Sequence, residues 1–177
     1  KSGLKMTKHF FELLQKNGVN THYVPADIDE VSMVVKTADM FGKGLEVICR
    51  YRAVGSFLRR YGAYCEEGQE LDSFVEITIK DDERGDPTIS EDALTMLGIL
   101  SNEDYKEIKA LTKSICGAIK TELATKNLEL YDIKLEFGKD KTTGEIMLID
   151  EVSGGNMRVY KDGKYIVPLE LERFFLG

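Results

Sequence analysis

One alternating segment constrains the fold of this chain more than any other part of its sequence. Across Leu130–Gly138, the charged residues Asp132, Lys134 and Glu136 occupy every second position, and apolar residues fill the positions between them. Side chains of a β-strand point to opposite faces with a period of two, so the pattern predicts a strand with one charged face and one apolar face. A second strand-like run at 145–152 predicts a hairpin that closes around 138–144.

The predicted hairpin brings a fourth charged residue to the charged face. If the chain folds back around residue 141, even-numbered residues pair with even-numbered ones, and Asp150 lies nearest Asp132. Three carboxylates around Lys134 would suit a magnesium and phosphate site, because Mg²⁺ prefers one or two carboxylates together with phosphate oxygens. A solvated outer face of a hairpin explains the same alternation and, on the pattern alone, is the more common arrangement.

The rest of the pattern predicts an α+β fold with mainly antiparallel strand pairing. Ser101 begins a capping-box sequence, and apolar residues follow it at spacings of three and four, which predicts a long amphipathic helix. Further helices are predicted at 4–17, 57–61 and 90–97, and further strands at 19–24, 31–35, 45–52 and 73–80. Because these helices and strands do not alternate regularly, a parallel βαβ architecture is disfavoured.

Basic residues cluster between positions 50 and 60 of an otherwise acidic chain. Arg50 precedes Gly55-Ser56, where a predicted strand gives way to a short helix, and both Arg50 and Ser56 would suit a phosphate or carboxylate ligand. For Arg59 and Arg60 the pattern favours exposed ion pairs with the acidic residues that follow, which are Glu66, Glu67 and Glu70.

Composition excludes several classes of function. The formal net charge of −7 disfavours binding to nucleic acid, and no apolar run approaches the roughly 20 residues of a membrane-spanning helix. Three scattered cysteines predict free thiols in a reducing compartment, so we expect a cytoplasmic protein. His9 and His22 have no cysteine or acidic partner at metal-ligand spacing, so a zinc site is not expected.

Three segments in a fixed order resemble one enzyme family. These are residues 46–56 (EVICRYRAVGS), 80–87 (KDDERGDP) and 132–138 (DIKLEFG), the last followed by Asp150-Glu-Val-Ser153. Together they resemble the phosphoribosylaminoimidazole-succinocarboxamide synthase, or SAICAR synthetase, family of purine biosynthesis. The resemblance extends over essentially the whole chain, to Leu176-Gly177.

The resemblance implies a two-lobed α+β fold with antiparallel sheets and an ATP cleft between the lobes. Residues 1–44 would then be the remainder of the N-terminal ATP-binding lobe, and residues 45–177 the C-terminal substrate and catalytic lobe. The family's N-terminal Gly-x-x-Lys strands and its terminal helix are expected to fall outside the printed sequence, which would leave the N-terminal lobe incomplete.

The resemblance also implies a reaction. Family members are ATP- and Mg²⁺-dependent C–N ligases that join the ribotide 5-amino-1-(5-phosphoribosyl)imidazole-4-carboxylate to L-aspartate through an acyl phosphate. The expected partners are these small molecules, together with further copies of the chain in a homo-oligomer. Two other functions stay open: a non-catalytic nucleotide-binding relative, and a kinase-like phosphotransferase.

Individual roles follow from the family motifs. The resemblance assigns Glu136 and Asp150 to magnesium, Lys134 to the transferred phosphoryl group, and Asp132 to the reacting carboxylate and amine. It assigns the ribotide to Arg50, Ser56 and Arg158, with Asp82 and Asp86 as weaker choices, and the adenine to Met40 and Glu46.

One departure from the family pattern affects the expected site. The chain reads Ser153-Gly-Gly155 where the family usually reads Ser-Pro-Asp. A carboxylate expected near the substrate is therefore missing, or another residue supplies it.

Overall fold

The computed structural model describes residues 2–21, 23–24, 34–35, 38–150 and 152–175. In these residues the helices are α1 (Ser2–Lys16), α2 (Gly55–Tyr61), α3 (Glu91–Met96), α4 (Asn102–Ala124) and α5 (Pro168–Arg173). The strands are β1 (Tyr23–Val24), β2 (Val34–Val35), β3 (Ala38–Met40), β4 (Leu45–Arg52), β5 (Glu70–Ile79), β6 (Glu129–Asp140), β7 (Ile146–Ile149), β8 (Met157–Lys161) and β9 (Lys164–Ile166). Single 3₁₀ turns lie at Asp82–Arg84 and Gly154–Asn156.

Strand β6 organises the main sheet, because its two halves pair with different neighbours. The first half lies between β4 and β8 in a sheet of order β5-β4-β6-β8-β9. The second half, from Glu136 onward, pairs with β7 and β3. All these pairings are antiparallel, and β1 and β2 pair separately. The predicted α+β class with antiparallel pairing is therefore confirmed.

The hydrophobic core lies on the odd-numbered face of β4 and β6. Cys49 and Ile133 are cross-strand partners on this face, and both are buried. Helix α4 covers the sheet with buried Ile115 and Ile119, and it contacts β4, β5 and β6. The predicted N-cap is present, because the Ser101 hydroxyl accepts a hydrogen bond from the Asp104 backbone N–H at 3.1 Å. Burial of the odd-numbered face leaves the even-numbered face of the same strands for the site.

The register of the β6–β7 hairpin differs from the predicted one. Glu136 pairs with Ile149, so even-numbered residues lie opposite odd-numbered ones. The prediction that Asp150 lies nearest Asp132 is therefore wrong, and the cross-strand neighbour of Asp132 on this side is Arg158 of β8.

The connecting loop explains this register. The Asp140 N–H donates to the Glu145 carbonyl at 2.8 Å, which leaves residues 141–144 as a four-residue loop. The Asp140 carboxylate accepts the Thr142 N–H at 2.8 Å, and Gly144 adopts a left-handed φ of 74°. An even number of loop residues pairs odd with even positions, whereas folding around a single central residue pairs even with even.

The remaining sequence expectations concern membrane helices, the two histidines and segments outside the described residues. None of the helices within the described residues is long and apolar enough to cross a membrane. The Nε2–H group of His9 donates a hydrogen bond to Glu122 Oε1 at 3.0 Å. His22, the turn at 25–30, Glu151 and the terminal Leu176-Gly177 lie outside the described residues.

Candidate active site

Three adjacent strands place charged residues side by side on the even-numbered face. Asp132 of β6 lies opposite Arg50 of β4 on one side and opposite Arg158 of β8 on the other. Opposite residues of an antiparallel pair point to the same face, so the strand register brings together side chains from three distant parts of the sequence.

The carboxylate of Asp132 is shared by the two arginines. Its Oδ2 atom accepts from Nη1 of Arg158 at 2.8 Å and from Nη1 of Arg50 at 3.3 Å. Asp132 is only 4% exposed. Burial raises the pKa of Asp132, while the charges of Arg158 and Arg50 oppose that shift. The carboxylate therefore fixes the guanidinium groups on both sides of it.

Arg50 is a buried part of the framework, with an exposure of 1%. Its Nη2 atom donates to the Ser56 hydroxyl at 2.6 Å, and its Nη1 atom donates to the Val54 carbonyl at 3.3 Å. Its Nε atom lies 3.5 Å from Glu76 Oε2. These contacts tie strand β4 to the start of α2 and hold Ser56 at the edge of the site.

A cavity of about 700 Å³ opens above these residues. Six of the predicted site residues line it, namely Arg50, Ser56, Asp86, Asp132, Lys134 and Arg158. Asp82 does not line it, because that residue lies exposed in the 3₁₀ turn that precedes Asp86.

Two further arginines, both exposed as the pattern predicts, line this cavity. Arg59 and Arg60 both reach it from α2. Arg60 donates to Glu76 Oε1 at 2.6 Å, so its partner belongs to β5 rather than to residues 66–70. Glu76 lies opposite Ile48 of β4, so the β4–β5 register places it on the same face as Arg50. The cavity is therefore richer in positive charge than predicted.

A second cavity, of about 210 Å³, adjoins the first and is rich in carboxylates. Glu46, Glu136 and Asp150 line it together with two lysines. Lys80 lies 2.7 Å from Glu136, and Lys134 lies 2.9 Å from Glu46. Lys134 lines both cavities, so the two spaces adjoin beside it. Lys80 was not singled out from the sequence.

Asp150 reaches this second cavity by leaving the strand geometry. It follows the end of β7 and has a left-handed φ of 66°. Because Asp150 lies outside the strand, the alternation of faces along β7 does not determine where its side chain lies. Asp150 therefore lines the same cavity as Glu136, as predicted, although the predicted hairpin register is wrong.

Asn156 also lines both cavities and was missed by the sequence reasoning. Its Oδ1 atom accepts from the backbone N–H of Ser153 at 3.2 Å. The carbonyl oxygen of the Asn156 amide is thus used within the protein, and its NH₂ group is the hydrogen-bond donor of this uncharged side chain. Gly155, the position at which the sequence departs from the expected family pattern, lines both cavities too.

The predicted adenine contacts line different cavities. Met40 is exposed and borders a third cavity, of about 480 Å³, with Phe41 and Lys139. Glu46 instead faces the second cavity through its pairing with Lys134.

Comparison with known proteins identifies the family. The family model for SAICAR synthetase matches residues 2–172. A phosphoribosylaminoimidazole-succinocarboxamide synthase from Clostridium tetani is 59% identical over 176 residues, which cover 99% of this chain and 78% of the relative. The chain belongs to the SAICAR synthetase family. Its membership confirms the predicted enzyme class, an ATP-dependent ligase of purine biosynthesis.

Solved structures of the SAICAR synthetase family share this fold. One, from structural genomics, is 35% identical, covers 99% of this chain and 84% of its own, and superposes with a TM-score of 0.89. Another, solved in complex with ADP, is 32% identical with a TM-score of 0.83 and covers 99% of this chain and 73% of its own.

Gly55 provides a test of how Arg158 is held. Its φ of 59° is left-handed, and a Cβ atom there would collide with the Arg158 guanidinium. We expect Gly55→Ala to lower the free energy of unfolding by about 1–2 kcal/mol for the backbone. Displacing Arg158 from Asp132 should cost a further 1–3 kcal/mol, roughly. Urea denaturation measures the free energy of unfolding and hence the sum of the two losses.

Gly163 is the matched control, because its φ of 78° is also left-handed but nothing lies within 4 Å of its Cβ position. Gly163→Ala should show only the backbone penalty. Equal losses in the two variants would contradict a steric role for Gly55 beside Arg158.

Proposed function

We propose that the larger cavity binds the ribotide and that the smaller one binds the ATP phosphates, so that the chain joins the ribotide carboxylate to L-aspartate. The observation that carries this proposal is the meeting of the two cavities at Lys134. A phosphoryl group can pass from one bound molecule to the other only where their sites touch, and a cation at that point offsets the charge of the transferred group.

The arginines of the larger cavity suit an anionic ribotide. Arg158 has a side chain that is 42% exposed, so its guanidinium can pair with Asp132 and still present N–H groups to a phosphate. Arg59 and Arg60 add two more guanidinium groups to the lining of this cavity. Arg50 is buried, and both of its terminal nitrogens donate hydrogen bonds within the protein, so we assign it to positioning Ser56 and Asp132 rather than to direct phosphate binding.

The chemistry requires activation of a carboxylate. An oxide is a poor leaving group, so the ribotide carboxylate oxygen first takes the γ-phosphoryl group of ATP and ADP leaves. The aspartate amine then attacks the carbonyl carbon of this acyl phosphate, the C–O bond breaks and inorganic phosphate departs with that oxygen. No protein nucleophile takes part, and the chain contributes position and charge.

Named residues divide this work. Lys134 would lie beside the transferred phosphoryl group and stabilise its negative charge. Asp132 would hold Arg158 against the ribotide. Asn156 would donate a neutral hydrogen bond near the reacting groups, where Gly155 supplies no carboxylate.

The smaller cavity fits a magnesium ion bound with nucleotide. Among the described residues no group of three or more His, Cys, Asp or Glu side chains is arranged to hold a metal. Mg²⁺ bound to nucleotide needs only one or two carboxylates beside phosphate oxygens and water, and Glu136 and Asp150 provide two. When bound, the ion would neutralise phosphate charge and align the phosphoryl group.

An omission assay tests the proposed reaction. ADP release by the protein should require ribotide, L-aspartate and Mg²⁺ together. ADP release that persists without aspartate would favour a kinase-like phosphotransferase. Nucleotide binding without turnover under any combination would favour a non-catalytic relative. Either outcome would refute the ligase reaction for this chain.

The proposed metal carboxylates can be tested separately. Glu136→Gln and Asp150→Asn should each reduce kcat by at least about a hundredfold, because each removes a charged ligand of the ion. Folding should be preserved, since both residues line a cavity rather than the core. Glu129→Gln is the control, because Glu129 lies on the same strand but pairs with Arg52 outside both cavities. Near-normal rates at saturating Mg²⁺ would show that the assignment is wrong.

Arg158 should act mainly on ribotide binding. Losing a hydrogen bond to a charged group costs roughly 1.5–3 kcal/mol, so Arg158→Met should raise the KM for the ribotide about tenfold to a hundredfold. The KM for aspartate should change far less. Arg52→Met is the control, because Arg52 pairs with Glu129 on β6 outside the cavity. An unchanged ribotide KM in Arg158→Met would remove that residue from the site.

A further inference from the structure

The two lysines of the smaller cavity already occupy its carboxylates. Lys80 Nζ lies 2.7 Å from Glu136 Oε1, and Lys134 Nζ lies 2.9 Å from Glu46 Oε2. The lysine side chains are 43% and 51% exposed, whereas each glutamate side chain is only 11% exposed. The carboxylates are thus fixed in the wall, and the ammonium groups reach them from the solvent side.

This pairing opposes the binding of a free divalent cation. Three carboxylates and two ammonium groups leave the cavity with a net charge of only −1. A cation that binds Glu136 must displace the Lys80 ammonium from it, at a distance where two like charges repel strongly.

Lys80 has both an anchored backbone and a movable side chain. Its N–H donates to the Gly44 carbonyl at 3.2 Å, and its methylene stem passes over Gly44, where a Cβ atom would lie 2.9 Å from Lys80 Cδ. The stem can follow this path because Gly44 has no side chain to block it. The exposed ammonium group is free to turn toward a new anion. Nucleotide phosphates entering the cavity would supply that anion.

We propose that Lys80 and Lys134 are placeholder cations, which shield Glu136 and Glu46 until nucleotide phosphates draw the ammonium groups away. The cavity then takes its divalent cation together with the nucleotide and not before it. This inference rests on the proposed function, which assigns the cavity to nucleotide phosphates and metal. It adds Lys80 to the site as a residue that pairs with phosphate in the loaded state.

The test measures metal binding directly. Mn²⁺ replaces Mg²⁺ as the probe, and the electron paramagnetic resonance signal of free Mn²⁺, corrected for the Mn²⁺ that ADP binds in the absence of protein, reports binding to the protein with and without ADP. The unsubstituted protein should bind Mn²⁺ weakly alone and tightly with ADP. Lys80→Gln should bind Mn²⁺ alone about tenfold or more tightly than the unsubstituted protein, because the competing cation is gone. The same variant should bind ADP more weakly.

Two controls isolate the role of Lys80. Lys80→Arg keeps a cation beside Glu136 and should bind Mn²⁺ as weakly as the unsubstituted protein in the absence of ADP. Lys141→Gln removes one positive charge from a residue that pairs with Asp39 outside this cavity, and it should leave Mn²⁺ binding unchanged. Thermal unfolding of each variant establishes that the fold is kept.

The outcomes separate this inference from the proposed function. Equal Mn²⁺ affinity with and without ADP, or no gain in Lys80→Gln, would overturn the placeholder role. Glu136→Gln tests the site itself. If Mn²⁺ binding in the presence of ADP were unaffected by Glu136→Gln, the metal assignment would fail whatever the result at Lys80.

Discussion

The buried carboxylate of Asp132 is the interaction on which the site depends. It compensates two guanidinium groups, from Arg50 and Arg158, that lie on the strands at either side of β6. Breaking a buried ion pair by removing one partner is strongly destabilising, since an uncompensated charge is left behind. Arg50 in turn holds Ser56 at the start of α2. One carboxylate therefore ties three strands and a helix to a single point, and the cavity walls are built around it.

The sequence predicted the faces of the strands better than their registers. Alternation along β6 identified Asp132, Lys134 and Glu136 as one charged surface, because a period of two is a local property of the chain. The hairpin register was wrong because it depends on the loop, where hydrogen bonds of Asp140 select four residues. The pairing of Arg60 with Glu76 joins separate elements, so local pattern around residue 60 could not reveal it. Lys80 was missed for the same reason, since its partner lies 56 positions along the chain.

The family resemblance and the physical pattern carried different parts of the prediction. Pattern alone could not distinguish a solvated hairpin face from a site, because both show alternating charges. Burial of Arg50 and Asp132 now separates the two cases, since a solvated face would leave both exposed. The structure also shows where Gly155, the departure from the expected family pattern, lies. Gly155 and the neighbouring Asn156 both line the two cavities, so neither position adds a carboxylate there.

Strand β6, which contributes residues to both cavities, also fixes the distance between them. Its residues rise by about 3.3 Å each, so Asp132 and Glu136 are held roughly 13 Å apart along a rigid backbone. The number of residues between Asp132 and Glu136 thus sets the distance between the larger and the smaller cavity, and no flexible hinge contributes to it. A single deletion between these positions would both shorten the gap and turn half of the charged face into the core. The loop at 141–144 does not lie between Asp132 and Glu136, so a change in its length leaves their separation unchanged. An insertion or deletion between Asp132 and Glu136 would change both their separation and the faces of the strand.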